Sequence, residues 1–336
     1  MNEKEAVVLQ GTGGVWQVRS EAGETMDVSL RGRLKREPGR DARERDMQDR
    51  GGGRESMRRG ARDEADKPLK LTVGDRVTIA TVPGESSWAI AAIHPRRSQL
   101  ARRSPGGARG ERIMVANLDQ VLVVFAAARP EPHPRMLDRF LVIAEANGLA
   151  ARVVINKCEL VNESNIRAHF DDQISAGYAM HLTSVVTGAG LESLRDQVEG
   201  KSSALTGPSG VGKSSLMNRL FPGLDLRTAE ISDSVNKGRH TTVGAVLHPL
   251  PGGGFVADTP GLREVGLWNI AVDELPSCFP EFRHLLSTCR FADCLHTVEP
   301  GCAIRDAMKA GDVRPGRYES YLKLRAELVE GAADFW

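Results

Sequence analysis

Residues 207–214 read Gly207-Pro208-Ser209-Gly210-Val211-Gly212-Lys213-Ser214, with Ser215 next. Glycines at the first, fourth and sixth places let backbone N–H groups converge on one point. A lysine then adds a cation and a hydroxyl follows at the start of a helical pattern, which is the chemistry of phosphate binding. On this reading the loop wraps the phosphates, Lys213 reaches the β- and γ-phosphates, and the Ser214 hydroxyl binds Mg²⁺. A second segment, Phe255-Val-Ala-Asp258-Thr-Pro-Gly261, is an apolar strand that ends in an acid and then a glycine. Asp258 there can hold the Mg²⁺ shell while the Gly261 amide faces a γ-phosphate. Between the two lies Gly238-Arg-His240-Thr241-Thr242, a polar segment in which Thr241 or Thr242 completes the magnesium shell. Leu262 follows Gly261, and a leucine cannot hydrogen-bond an attacking water. His240, whose titration range suits proton handling or water positioning, is the nearest catalytic candidate.

Asn156-Lys157-Cys158-Glu159 closes the apolar run RVVI and is similar to a guanine-reading box, in which a carboxylate accepts from the N1 and N2 hydrogens of the base. Here the acid is Glu159 where Asp is usual, and its extra methylene must be absorbed by a small shift. Thr183-Ser184-Val-Val-Thr-Gly-Ala-Gly190 matches a second base-contacting loop. Together these motifs predict GTP binding through residues 156–159, Ser184, residues 207–215, Asp258 and Gly261. Further on, Cys289-x4-Cys294-x-His296-x5-Cys302 supplies three thiolates and one imidazole, a closed tetrahedral set suited to one structural Zn²⁺ with no position left for a substrate water. Cys158 and Cys278 are left over as ordinary residues.

These residues need elements to hold them. Short alternating runs at Ala6 to Gln10, Trp16 to Arg19, Met26 to Leu30, Leu69 to Val73 and Arg76 to Ala80 predict five strands of a small barrel. After Arg112, strands alternate with helices, which predicts a largely parallel sheet. The strands are Gln120 to Ala126, Arg152 to Ile155, Met180 to Ser184 and Ser203 to Thr206, and the helices Arg135 to Asn147 and Lys213 to Leu220. A final helix is expected over Pro315 to Glu330. The chain of 336 residues carries 45 Lys/Arg against 44 Asp/Glu, which excludes a uniformly basic nucleic-acid binder. Residues 1–112 nevertheless hold 23 of the basic and 17 of the acidic residues, a net +6, leaving −5 for residues 113–336. Much of the basic excess sits in two places. One is Arg31 to Lys70, whose interior 36–67 has only Ala and Met as apolar members and is expected to be a disordered insertion. The other is Pro95 to Arg103, read as a basic linker. No apolar run approaches the length of a membrane span and the start has no signal pattern, so a cytoplasmic monomer with no membrane contact is expected.

The boxes that read the base precede the phosphate loop, the reverse of the usual small-GTPase order, so the sheet must be circularly permuted. On PRRSQLAR, NKCE, TSVVTGAGL, GPSGVGKSSL, GRHTTV, DTPGLREVGL and the cysteine segment, the chain resembles the circularly permuted GTPases of small ribosomal subunit biogenesis (the RsgA, or YjeQ, family). The resemblance covers nearly the whole chain. It implies a multi-domain architecture: an OB-fold β-barrel over 1–103, a permuted α/β P-loop GTPase domain over 104–268, and a zinc-binding helical domain over 269–336. It also implies a switch histidine, here His240, and a GTP-dependent association with the small subunit and its rRNA, ended by hydrolysis to GDP. Two alternatives stand beside it: an RNA-binding scaffold that senses GTP and barely hydrolyses it, which Leu262 permits, and a permuted GTPase serving tRNA or membrane traffic. Glu159 and the long insertion depart from the family pattern.

Overall fold

The computed structural model describes residues 2–12, 14–30, 70–103, 111–224, 226, 245–258 and 270–333, so the charged stretch 36–67 lies outside the described residues. The chain divides into two compact units, Met1–Arg96 and Arg97–Trp336.

The first unit is a closed barrel of β1 (Glu3–Thr12), β2 (Val15–Ser20), β3 (Thr25–Leu30), β4 (Arg76–Thr81) and β5 (Trp88–Ile93). The pairing order β1-β2-β3-β5-β4, closed by β4 against β1 and with β3 and β5 parallel, is that of an oligonucleotide-binding barrel. Period-two alternation turns Ala6, Val8, Val18, Val28, Val77, Ile79 and Ile90 inward. Each large aliphatic so buried contributes about 1.5–3 kcal/mol. The expected strand at Leu69 to Val73 is not formed over residues 70–73. Leu71 is buried in the barrel core, but the Thr72 N–H donates to Asp75 Oδ2 at 2.8 Å and bends the segment into a turn. The fifth strand is WAIAAI, Trp88–Ile93. Arg96 donates through Nε to the fully buried Asp75 Oδ1 at 2.6 Å and through Nη2 to the Lys70 carbonyl at 2.7 Å.

In the second unit the run expected as a linker is a hairpin strand instead: β6 (Gln99–Arg103) pairs antiparallel with β7 (Glu111–Ala116). The main sheet holds β8 (Gln120–Ala126), β9 (Ala150–Asn156), β10 (Met180–Leu182), β11 (Ser202–Thr206), β12 (Val246–Pro249) and β13 (Phe255–Asp258) in the order β10-β9-β8-β11-β13-β12. All neighbours are parallel except β12 and β13. All seven residues of β8 are buried, as befits a central strand covered on both faces. Around the sheet lie α1 (Pro134–Ala146), α2 (Glu163–His169), α3 (Asp171–Ser175), α4 (Leu191–Val198) and α5 (Lys213–Leu220). Pro134 opens α1, where a missing N–H costs nothing, and the chain leaves it through Gly148 at φ 64°. Beyond Ile270 come three short 3₁₀ turns, α6 (Ala303–Ala310) and α7 (Pro315–Ala333). They share a core of Phe279, Phe282, Ile304 and Tyr321 that also takes in Val142 of α1. Among the described residues no helix is long and apolar enough to cross a membrane.

Candidate functional site

The four motif-bearing strands β9, β10, β11 and β13 deliver their loops at the carboxyl ends of a parallel sheet, where such folds bind ligands. β11 runs into the phosphate loop at Gly207, whose φ is 130°; a Cβ there would lie 2.0 Å from the Val124 carbonyl oxygen, so only glycine lets the loop lie down on β8. The loop then climbs to Gly212, at φ 89°, which caps α5. A Cβ on Gly212 would meet Asn156 Nδ2 at 2.6 Å. That close approach is functional geometry: Asn156 is buried at the end of β9 and donates through Nδ2 to the Val211 carbonyl at 2.9 Å. Its neighbour Lys157, held in the left-handed region at φ 60°, donates through Nζ to the Gly210 carbonyl at 2.7 Å and also to the Arg129 carbonyl. Asn156 and Lys157, the first two residues of the box expected to read the base, therefore brace the phosphate loop directly.

The Cys158 N–H donates to the Thr183 carbonyl at 3.1 Å and couples that box to the second loop. There Ser184 is fully buried, its Oγ accepting from the Thr187 N–H at 3.0 Å and its own N–H donating to the Ala189 carbonyl at 3.0 Å. Burial, and then the charge of Glu159, push the Cys158 thiol up, so it stays protonated at neutral pH. Glu159 is exposed. Lys213 lies over the loop, its Nζ donating to the carbonyls of Gly207 at 2.7 Å and Pro208 at 2.6 Å. Pro208, Ser214 and Ser215 are partly buried and Ser209 is exposed. Asp258 ends β13, the strand beside β11. His240, Thr241, Thr242, Gly261 and Leu262 lie outside the described residues.

In the C-terminal segment, one ligand atom from each of Cys289, Cys294, His296 and Cys302 falls within 4.8 Å of all the others. His296 Nδ1 is 3.5 Å from the sulfurs of both Cys289 and Cys302. A tetrahedral zinc with bonds of about 2.3 Å to sulfur and about 2.0–2.1 Å to nitrogen sets an S···N edge of about 3.5 Å, so the four residues fit that ion. Burial, with the neighbouring Cys302 and Cys289, pushes the Cys294 thiol up to about 12, a cost that a bound cation reverses. Burial lowers His296, leaving a neutral imidazole able to donate a lone pair.

Two tyrosines of the C-terminal helix, which no motif singles out, hold this loop. Tyr318 donates to the His296 carbonyl at 2.8 Å and Tyr321 to the Leu295 carbonyl at 2.8 Å, both from α7. A third feature had no signal beyond one more arginine in a charged helix. Arg317, fully buried, donates to Asp138 of α1 at 2.5 Å and to Glu281 at 2.6 Å, and its guanidinium lies 4.7 Å from the Phe279 ring centre. Asp138 also accepts from Ser320 at 2.5 Å and Gln173 at 2.7 Å.

A family model described as RsgA GTPase matches residues 93–268. The chain is 66% identical over 324 residues to the small ribosomal subunit biogenesis GTPase RsgA of Gemmatimonas aurantiaca, covering 96% of this chain and 97% of that protein. It is 32% identical over 330 residues to the protein of that name from Bacteroides fragilis, with 97% of each covered. Of solved structures, YjeQ from Thermotoga maritima superposes with a TM-score of 0.74 at 32% identity, covering 98% of this chain and 99% of that one. YloQ, described as a circularly permuted GTPase, gives 0.69 at 26% identity, covering 98% and 96%.

Proposed function

The chain belongs to the RsgA GTPase family, and from that premise we propose that it hydrolyses GTP to GDP and phosphate on the small ribosomal subunit late in that subunit's maturation. The observation that carries this reading is the brace from Asn156 and Lys157 to Val211 and Gly210, which makes the base-reading box and the phosphate loop one rigid receptor for a guanine nucleotide despite their permuted order. Glu159 accepts from the guanine edge, and Ser184, with its hydroxyl already engaged, fixes the loop beneath the base. Backbone amides of residues 207–215 take the phosphates. Lys213 leaves the carbonyls of Gly207 and Pro208 for the β- and γ-phosphates, an exchange of neutral for charge-assisted hydrogen bonds. GTP arrives with Mg²⁺, for which the Ser214 hydroxyl, the Asp258 carboxylate and a threonine from Thr241 and Thr242 are hard oxygen donors. The Gly261 amide meets the γ-phosphate, and His240 orients the attacking water in place of the side chain that Leu262 lacks.

The cluster Cys289, Cys294, His296 and Cys302 holds one structural Zn²⁺, which organises a loop too small to order itself. The barrel and the zinc module face rRNA. Arg96 is excluded from that surface because its charge is spent inside the barrel on Asp75. The protein acts as one copy per subunit in the cytoplasm, where ribosomes are assembled.

GTP turnover measured with and without purified small subunits tests the reading. Strong stimulation is expected. Binding to the subunit without stimulation selects the scaffold that uses GTP as a ligand, and turnover in His240→Ala equal to the parent under both conditions removes the role given to His240.

A further inference from the structure

The phosphate loop has a second face. Pro208 and Ser209 form one wall of a cavity of about 700 Å³ whose other walls are α1 and the C-terminal helix α7. Pro208 is also a residue whose carbonyl accepts from Lys213 Nζ, at 2.6 Å, so one residue of the phosphate loop both lines the cavity and holds the loop lysine. Four residues of α7 line it at helical spacing, Ser320, Lys323, Leu324 and Glu327, which puts one face of that helix toward the nucleotide site.

The cavity has three cations, and two are committed. Arg135 of α1 pairs with Glu319 at 3.0 Å, and Arg139 pairs with Glu327. Lys323 stands between those two glutamates on α7, is exposed, and makes no hydrogen bond or ion pair among the described residues. Its helix cannot slide, because Asp138 of α1 holds Arg317 and Ser320, the latter one turn ahead of Lys323. The result is a flexible four-carbon stem with a point charge on a fixed base, facing the phosphate loop.

Phosphoryl transfer spreads negative charge over the γ-phosphate oxygens, and other nucleotide hydrolases meet it with a cation supplied in cis or by a partner. We propose that Lys323 is a cis-acting catalytic residue that reaches the γ-phosphate of bound GTP across this cavity. The proposal rests on the GTPase reading above. It deepens that reading by placing one catalytic charge on the zinc-bearing C-terminal segment, outside every nucleotide motif. Because GDP lacks the group contacted, Lys323 also discriminates GTP from GDP.

The test uses the full chain and three variants, Lys323→Ala, Lys323→Gln and Lys323→Arg. For each, turnover with and without small subunits is measured, together with the affinities for GDP and for a non-hydrolysable GTP analogue. Loss of one charge-assisted hydrogen bond is expected to lower turnover, and to weaken the analogue relative to GDP, by about tenfold in the Ala and Gln variants. The Arg variant should keep most of both, and melting should not move because the side chain is exposed. An analogue-to-GDP affinity ratio equal to the parent's, or an equal loss for both nucleotides, overturns the proposal. That ratio judges Lys323 independently of hydrolysis, whereas absent turnover in the parent counts against the hydrolase reading itself.

Discussion

Replacing Arg317 with methionine removes the one cation from a pocket that keeps two carboxylates. The Arg317 side chain is 1% exposed, that of Asp138 is 2% and that of Glu281 is 10%, so solvent screens none of them. Removing one partner of such a buried pair costs about 3–5 kcal/mol, because the remaining charge is left uncompensated. Asp138 retains the Ser320 hydroxyl and the Gln173 amide, which puts Arg317→Met near the lower end, about 3 kcal/mol. For a unit of this size, each kcal/mol moves Tm by about 2–4 °C, so the transition of the second unit should fall by about 6–12 °C. Scanning calorimetry of the full chain reads this directly, and the barrel transition, to which Arg317 contributes nothing, serves as the internal reference. Combining Arg317→Met with Asp138→Asn should cost less than the sum of the two, since each alone strands the other's partner. A loss below about 1 kcal/mol, or strict additivity, would refute the claim that these groups work as one buried unit.

Three further outcomes follow from the geometry. Gly212→Ala must hold an L-residue at φ 89° with its Cβ against Asn156, a strain of about 1–2 kcal/mol, so affinity for a fluorescent GDP should fall about tenfold or more and Tm by a few degrees; parent-like affinity would remove the clash. The purified chain should carry zinc at one per chain; chelation or Cys294→Ser should lower the calorimetric transition of the second unit and leave GDP binding below that transition intact, and zinc-free protein that melts identically would exclude a structural metal. His181 of β10 has its pKa lowered, first by burial and then by Arg152, and its Nε2 is buried without a hydrogen-bond partner among the described residues. A histidine lowered in the folded state takes up its proton first in the unfolded chain. Stability is therefore full above the unfolded value of 6.5 and lost as pH falls from there through the lowered folded value. Urea midpoints at pH 7.5 and pH 5.5 should show a shallower fall for His181→Phe than for the parent, and parallel falls would remove His181 as a contributor.

What could be read from the sequence depended on whether burial and hydrogen bonding left the same trace. β8 and α5 were legible to the residue because a continuous apolar run and a glycine-capped helix each express both. Leu71 misled for the opposite reason: it is buried like a strand residue, yet Asp75 turns its backbone away from the ladder. Trp88–Ile93 carries no clear strand signal because WAIAAI shows little alternation, its outward residues being apolar as well. Charge counting placed Arg96 in a basic surface run, whereas its partner Asp75 lies 21 positions back and only the barrel's closure brings them together. The four residues of the Cys3His cluster are local in sequence, so their convergence was legible from spacing alone. The tyrosines that hold their loop are 22 and 26 residues from the carbonyls they bind and were not.

The permuted order brings β13, with the magnesium-binding candidate Asp258, to within twelve positions of Ile270, where the C-terminal core begins. A swing of the C-terminal segment with nucleotide state is one way to use that proximity, but the energetics of α1 oppose it. That helix packs Phe140 against Phe125 of the central strand, gives Val142 to the C-terminal core and anchors Arg317 through Asp138. Undocking α7 would break the buried network at about 3–5 kcal/mol. A ligand needs about 5.5 kcal/mol of differential affinity to invert a two-state equilibrium from 1:99 to 99:1, so a swing would consume most of what the γ-phosphate contacts can supply. Side chains on the fixed face of α7 can respond to the γ-phosphate without any such cost. The docked helix then serves as a reader of the nucleotide rather than an arm thrown by it, and the cavity shared with Pro208 and Ser209 is where the reading takes place.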